Sequence, residues 1–321
     1  MPSPSASAFV RPDIGEAFEE FPLEASQQGF VGLQVAPIFE AGEQSGNYSI
    51  IPVEALLEER ETKRAPKGGY AESDWEFEQG SFATQEHGAK EVMDDRERKV
   101  YAYTIDFEMV CAGRARDAVH RKLERDIALA AQSTTVFGST AVAVPWSVPQ
   151  TAKPLDDVVG EIDLFKTGSG VLPNLGVATD KCLRKLKLCA QIQDQLKYAG
   201  IDDPKFPMEE FAKKLAQLFD LEKIIVAAAV RNTAKKGQAF IGAQVWDDTK
   251  FGLYRAPKSA DLNEICALRT IIWTGDGAGI DGVFETYRDE DKRSDMLRFR
   301  NERQVKTMYA VAGRLLTGVV V

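Results

Sequence analysis

The segment that decides the fold runs from residue 44 to residue 86 and reads QSGNYSIIPVEALLEERETKRAPKGGYAESDWEFEQGSFATQE. Its two ends, 47–53 (NYSIIPV) and 75–79 (WEFEQ), have the apolar and alternating patterns of β-strands. The charged stretch between them carries too few apolar residues to form a core of its own. We therefore predict a long hairpin that its own domain cannot bury.

Simple dimensions indicate how far such a hairpin projects. Half of it is about 20 residues, which at ~3.3 Å per residue extends on the order of 65 Å. A compact body of about 235 residues has a radius of gyration of only about 17 Å. Because an isolated two-stranded ribbon is marginally stable in water, we expect another molecule to cover it.

The hairpin also carries the residue types that dominate protein interfaces. Arginine and large aromatic side chains contribute most of the binding energy at such surfaces. We therefore predict an inter-subunit contact formed by Arg64, Pro66, Tyr70 and Trp75. The alternative is a loop that packs locally on its own chain.

The rest of the chain predicts an α+β organisation with its helices in the middle. The clearest helix covers 112–132, with an apolar stripe at Ala115, Val119, Leu123, Ile127 and Ala130. Further helices are predicted at 155–166, after Asp180 as a cap, and at 207–219. Strands are predicted at NLGVAT, KIIVAAAV, AFIGAQVW, FGLYRA, LRTIIW, GVFETYR, MLRFRNE and QVKTMYAV. Residues 1 to about 45 are expected to form an extended arm with apolar anchors at Phe21, Phe30, Val31 and Leu33.

Composition narrows the classes of function. The net charge of −9 disfavours sequence-specific DNA recognition, although it allows a protein surface that faces nucleic acid without binding specific bases. The four cysteines are scattered without a C-x-x-C pair, so we expect free thiols rather than a zinc ribbon. The longest apolar run is the seven residues 224–230, whereas a membrane span needs roughly 20. No signal peptide is visible at the N-terminus.

Residues 273–282 (WTGDGAGIDG) match the G-x-G-x-x-G pattern of dinucleotide-binding turns. That site requires a helix after the glycines. The sequence that follows, GVFETYR, has the aromatic and β-branched residues of a strand instead. We predict a glycine-rich turn between antiparallel strands, with a nucleotide-dependent enzyme as the alternative.

Other candidate sites are weak. The chain has two histidines, His87 and His120, and the second falls on the polar side of the predicted helix. The acidic runs 93–99 and 287–295 could bind a metal. Each run interleaves carboxylates with Arg and Lys, which favours salt bridges on a solvated loop. We predict no catalytic residue, cofactor or metal.

Three blocks of sequence, in order, carry a resemblance to a known family. They are SGNYSIIP with KRAP and WEFEQGSFATQEHGAKEVMDDRE, then LFDLEKIIVAAAVRNTA with QVWDDTKFGLYRAP, then WTGDGAGIDGVFETYRDEDKRSDMLRF. Together they resemble the major capsid protein of tailed bacteriophages, in its lambda-coat-like branch. The similarity covers about residues 30–321.

The resemblance implies the Hong Kong 97-type capsid fold, with an N-terminal arm, an extended loop, a peripheral domain with a long spine helix, and an apical domain. On this sequence these parts are 1–43 for the arm, 44–86 for the extended loop, 87–154 for the peripheral domain with the spine helix, 155–265 for the apical domain, and 266–321 for the return strands of the peripheral domain.

The function implied is a coat protein that assembles into an icosahedral shell around double-stranded DNA in the virion. Its partners would be other copies of itself in hexamers and pentamers, portal and scaffolding or decoration proteins, and DNA bound without sequence specificity, but no membrane. Assembly would take place in the host cytoplasm. A shell of the encapsulin type, which holds an enzyme instead, is the alternative with the same fold.

Overall fold

The computed structural model describes residues 9–14, 29–59, 62–64, 66, 68–70, 77–101, 106–198, 207–235, 237–275, 277 and 279–321. Their strands are β1 (Phe9–Val10), β2 (Ile38–Ala41), β3 (Ser45–Ile50), β4 (Glu78–Ala83), β5 (Gln85–Asp94), β6 (Gly138–Ala141), β7 (Leu175–Thr179), β8 (Lys223–Ala227), β9 (Val230–Asn232), β10 (Gly242–Gln244), β11 (Lys250–Tyr254), β12 (Leu268–Trp273), β13 (Val283–Asp289), β14 (Ser294–Thr307) and β15 (Gly313–Thr317). Their helices are α1 (Gly32–Val35), α2 (Val53–Leu57), α3 (Asp95–Tyr101), α4 (Phe107–Ala131), α5 (Pro154–Ser169), α6 (Asp180–Leu188), α7 (Ala190–Tyr198) and α8 (Met208–Leu218). This mixture of helix and strand confirms the predicted α+β class.

Strand β14 is the centre of the first sheet. Its residues 294–303 pair antiparallel with β5 on one side. On the other side it pairs first with β13, at 294–300, and then with β12, at 303–307. β12 and β13 therefore lie end to end along one edge of β14. β1 extends this sheet beside β13, and β2 runs parallel to β12.

The long helix α4 packs on β5 and β14. Its 25 residues span about 37 Å at 1.5 Å per residue. The helix begins earlier than predicted because Asp106 caps it, accepting a hydrogen bond of 3.2 Å from the Met109 N–H. Of the predicted stripe, Ala115, Val119, Leu123 and Ile127 are buried, whereas Ala130 is only partly buried.

The second sheet has the order β6-β15-β11-β7-β8, and β7 runs parallel to β8. Helices α5, α6 and α8 contribute to a core with the inner face of this sheet, where the buried aromatic residues are Trp146, Phe211, Phe219 and Phe251. The predicted cap of α6 was wrong by one residue. Thr179 caps the helix through its side chain, which accepts from the Cys182 N–H, and Asp180 is the first helical residue. The described helices include none long and apolar enough to span a bilayer.

Three other predictions about elements were wrong. MLRFRNE and the first four residues of QVKTMYAV form the single strand β14 together, and this strand ends at Thr307. AFIGAQVW contributes only the short strand β10, which pairs with β9. Residues 29–41 are not an extended arm. They form α1 and β2, and Val35 and Ala36 are buried in the main core.

The hairpin 44–86 is partly buried by its own chain, which contradicts the sequence expectation. β3 and β4 pair over only six residues each, or about 20 Å at ~3.3 Å per residue. Tyr48 and Phe82, which alternate with exposed residues along β3 and β4, and Val53, at the start of α2, enter the main core. The unburied part of the segment starts beyond this base.

Candidate inter-subunit surface

The outer part of the hairpin holds three of the four predicted contact residues. The Arg64 Nε donates a hydrogen bond of 2.6 Å to the Gly68 carbonyl oxygen, and the guanidinium carbon lies 4.9 Å from the centre of the Tyr70 ring. Tyr70 is 75% exposed, and Pro66 is exposed in the turn between them. Trp75 lies outside the described residues. The structure thus brings Arg64 and Tyr70 together in solvent, in a cation–π arrangement.

Polar contacts fix the base of the hairpin to the body. The Ile51 N–H donates to the Tyr309 hydroxyl at 3.3 Å, and the Ala83 N–H donates to the Gln304 side chain at 3.0 Å. Within the hairpin itself, the Thr84 N–H and hydroxyl both donate to the Gln44 carbonyl oxygen and so tie its two ends together. The base of the hairpin is thus fixed to the body, and the exposed side chains of Arg64 and Tyr70 lie beyond it.

A second exposed apolar surface was missed by the sequence reasoning. The hairpin of β9 and β10 carries Phe240, 71% exposed, and Ile241, 56% exposed. The Asn232 side chain closes the turn by accepting hydrogen bonds from the Ala234 and Ile241 N–H groups. The predicted strand AFIGAQVW contains these apolar residues. The flanking glycines, Gly237 and Gly242, are the signal that could have indicated a projecting turn.

The acidic runs meet at one end of the first sheet. Arg288 binds Asp95 through two hydrogen bonds of 2.7 Å each and also contacts Asp295 at 3.1 Å. Arg98 bridges Asp295 and Glu108. The hydrogen bonds from Arg288 lower the pKa of Asp95. This network confirms the salt-bridge interpretation, and the described residues contain no cluster of three metal-ligating side chains.

The glycine-rich segment 273–282 joins two strands that follow each other along β14. The predicted turn between antiparallel neighbours is therefore wrong, because β12 and β13 run in the same direction. Gly282 has φ of +67°, and an added Cβ would lie 2.3 Å from the Phe299 ring. The strand β13 starts at the next residue, where a dinucleotide site needs a helix.

Burial changes the surroundings of both histidines. His120 does not face water as predicted: its ring lies 5.7 Å from that of Phe299, and its buried Nε2 contacts no hydrogen-bonding atom of the described chain. Burial lowers the pKa of His120 to about 4, with Arg116 and Arg303 adding to the effect. Burial also lowers the pKa of His87.

Comparison with known proteins places the fold. No protein-family model and no curated protein matches the chain. It is similar to the crystal structure of a phage-related protein from Bordetella bronchiseptica, with 16% identity, 98% of each chain covered and a TM-score of 0.68. The capsid of the cyanophage P-SCSP1u is 8% identical, with 92% of this chain and 90% of that chain covered and a TM-score of 0.56. A virus-like particle from Pyrococcus furiosus is 14% identical, with 95% and 98% covered and a TM-score of 0.53.

These similarities span almost the whole chain on both sides, so they concern the complete arrangement and not one shared motif. At such low identity a likeness establishes the fold. The chain therefore has the Hong Kong 97-type fold of phage capsid proteins, as its sequence predicted.

Proposed function

We propose that the chain is the major capsid protein of a tailed bacteriophage and assembles into an icosahedral shell. The observation that carries this proposal is the hairpin: its base is fixed in the core by Tyr48 and Phe82, while Arg64 and Tyr70 stand in solvent. A fixed base followed by an exposed arginine and an exposed aromatic residue suits a contact with another copy.

The mechanism is multivalent self-association. Each subunit would contact several neighbours at once, so later contacts are effectively intramolecular and each can be weak. Hexamers and pentamers are rotational rings, which need head-to-tail interfaces. We assign the hairpin 44–86 to one such interface. The proposed parts are an N-terminal arm at 1–43, whose residues 29–41 fold onto the body as α1 and β2, the extended loop, a peripheral domain at 87–154 with α4 as its spine, an apical domain at 155–265, and return strands at 266–321.

The proposed cargo is double-stranded DNA held without base recognition. The net charge of −9 favours a shell whose subunits do not bind the DNA phosphates tightly. Portal and scaffolding or decoration proteins complete the set of proposed partners, and assembly would take place in the host cytoplasm. We propose no enzymatic activity, and the lambda-coat-like branch remains a prediction.

A nanocompartment of the encapsulin type is the second candidate. The similarity to the virus-like particle from Pyrococcus furiosus favours it, because that particle shares the fold. The nucleic acid content of purified particles separates the two candidates. DNA in the particles would support the phage capsid, and an enzyme as cargo would support the compartment.

Negative-stain microscopy of the expressed full chain tests the proposal. We expect closed shells, or rings and sheets of subunits where a scaffold is needed for closure. A protein that stays monomeric at every concentration would contradict it. Titration with NADH tests the remaining enzyme alternative: saturable binding that is lost in Gly279→Val would revive it.

A further inference from the structure

A cavity of about 350 Å³ lies between helix α4 and the strands β5 and β14 of the first sheet. Its lining includes the ionisable side chains of His87, Lys122, Asp126 and Arg303. Leu129, from α4, and Val305, from β14, add apolar surface to the same lining. The cavity therefore combines cationic groups with an apolar wall.

Arg303 is the buried cation of this cavity, and only 2% of its surface is exposed. Its Nη1 donates a hydrogen bond of 2.7 Å to the Asn301 side-chain oxygen, and its Nη2 donates one of 3.0 Å to the Val119 carbonyl oxygen. A guanidinium has five N–H donors. The other N–H groups of Arg303 therefore have no acceptor in the part of the chain that the structure describes.

The charges around Arg303 leave it without a carboxylate of its own. Among the described residues, Asp126 is the one carboxylate that lines the cavity, and it forms an ion pair with Lys122. Burial lowers the pKa of Arg303 to about 10, and the charge of Asp126 opposes this effect. Because a buried cation is costly unless an anion pairs with it, the cavity favours a negatively charged ligand.

His87 adds a hydrogen-bond donor to the cavity. Burial lowers its pKa, and the nearby Arg303 adds to that effect, so the ring is neutral at pH 7. A neutral imidazole still donates one N–H. Arg303 and His87 can thus both donate to the same anion.

The apolar part of the lining indicates which anion fits. The planar fork of a guanidinium matches the two oxygens of a carboxylate. Leu129 is 61% exposed, so a hydrocarbon group in the cavity would cover surface that now faces water. The volume of about 350 Å³ lies at the small end of the range of about 300–1,000 Å³ for ligand sites.

We propose that this cavity binds a carboxylate carried on a short apolar stem. The carboxylate contacts Arg303 and His87, and the stem lies against Leu129 and Val305. Lys122, whose side chain is 54% exposed, supplies a second positive charge, whereas Asp126 opposes binding. The site lies within one subunit, so it does not depend on the proposed capsid function.

Titration of unassembled full-length subunits with butyrate tests the site directly. The chain has two histidines, and only His87 lines the cavity. Nuclear magnetic resonance of isotope-labelled histidine, at neutral pH and constant ionic strength set with chloride, therefore contains its own control. We expect the His87 signal to move saturably while that of His120 stays in place.

Acetate and inorganic phosphate define the class of ligand in the same titration. Acetate should bind about tenfold more weakly than butyrate, because it lacks two methylene groups that the cavity would bury. Phosphate should also bind more weakly than butyrate. Tighter binding of phosphate, equal binding of acetate, or no saturable movement of the His87 signal would overturn the proposal.

Variants of α4 test the predicted charges without disturbing the buried Arg303. Lys122→Ala should weaken butyrate binding by about tenfold, because a charged partner is lost. Asp126→Asn should strengthen binding, because it removes the competing carboxylate. Arg125→Ala is the matched control, since it removes an exposed positive charge of the same helix that does not line the cavity. Unchanged affinity in both Lys122→Ala and Asp126→Asn, or an equal loss in Arg125→Ala, would contradict the site.

A free organic acid and a glutamate side chain of another copy share this chemistry. Equilibrium dialysis with radiolabelled butyrate, on subunits and on purified particles, distinguishes the two sources. Binding that persists in particles supports a free acid, and binding that subunits show but particles lose supports a side chain of a neighbouring copy. If the wild-type chain forms no particles, the proposed function fails, and the titration of subunits still decides the site.

Discussion

The carboxylate of Glu124 accepts a hydrogen bond of 2.6 Å from the indole nitrogen Nε1 of Trp246. The same buried carboxylate accepts from the N–H groups of Val31 and Gly32, at the start of α1. One side chain of the long helix α4 thus joins the N-terminal segment to the chain that enters the second sheet. Burial raises the pKa of Glu124, and the three donors oppose that rise.

Removal of this carboxylate should destabilise the subunit. Glu124→Ala leaves three buried N–H groups without an acceptor, so we expect the free energy of unfolding to fall by about 3 kcal/mol or more. Trp246→Phe removes one of the three donors and should cost less, about 1 kcal/mol. Urea unfolding followed by circular dichroism checks both values. Changes below about 0.5 kcal/mol in both variants would show that the hydrogen bonds to Glu124 contribute little to the stability of the subunit.

Protonation of His120 should destabilise the fold in acid. Its pKa is lowered from 6.5 to about 4 in the folded state, so the unfolded chain binds the proton more readily between these values. The stability is therefore present above about pH 6.5 and is lost as the pH falls towards 4, by on the order of 3 kcal/mol.

Urea unfolding of wild type and His120→Leu at a series of pH values isolates this effect. The difference between the two proteins should change in the window from pH 6.5 to 4 and stay constant above it. The pKa of His87 is also lowered, so this residue contributes to the loss of stability in acid as well. A matched pH series on His87→Leu measures its share of that loss. Parallel curves for wild type and His120→Leu would contradict the assignment.

Two glycines of the segment 273–282 form a matched pair. Gly277 and Gly282 both have positive φ values, +78° and +67°, but only the Cβ position of Gly282 is blocked, by Phe299 and the Arg300 carbonyl oxygen. Gly277→Ala should cost about 1–2 kcal/mol from backbone strain alone. Gly282→Ala should cost clearly more, measured as a shift in the urea midpoint. Equal effects would mean that the close packing on β14 is absent in solution.

The exposed pair of Arg64 and Tyr70 should matter for assembly and not for folding. Arg64→Ala and Tyr70→Ala remove side chains from solvent, so the melting temperature of the free subunit should stay within about 1 °C of wild type. Assembly, measured by light scattering, should fall in both. Arg64→Lys is the control that keeps the charge but loses the planar group that lies over Tyr70. Normal assembly in all three variants would remove these residues from the interface.

The sequence predicted elements best where one period of apolar residues dominates. α4 follows the spacing of Ala115, Val119, Leu123 and Ile127, and β12 was predicted to the residue as LRTIIW. Two polar residues of α4 differ from the sequence analysis. His120 was predicted on the polar side of the helix, and no role was predicted for Glu124. Glu124 is buried on a second row with Ala128 and Ala131, and the partly buried His120 lies one turn before it. A polar residue on such a row is the sequence signal for a buried hydrogen-bonded contact between segments.

Tertiary relationships of the hairpin and the glycine-rich segment could not be predicted from local patterns. The alternation around Tyr48 and Phe82 indicates that these residues share a face, but not that the body of the same chain covers it. Likewise, LRTIIW and GVFETYR were predicted as strands and form strands in the structure. That they lie end to end on β14 depends on pairing across the whole sheet.

In the proposed assembly, sister copies cover the part of the hairpin that the body leaves exposed. Deletion of residues 56–74 removes this part and keeps the paired base of β3 and β4. Sedimentation velocity of the wild-type chain and the deletion variant, side by side, tests the claim most directly. We predict fast-sedimenting particles for the wild type and a folded monomer for the variant. Particles of normal size from the variant, or a wild type that remains a monomer at every concentration, would contradict the account.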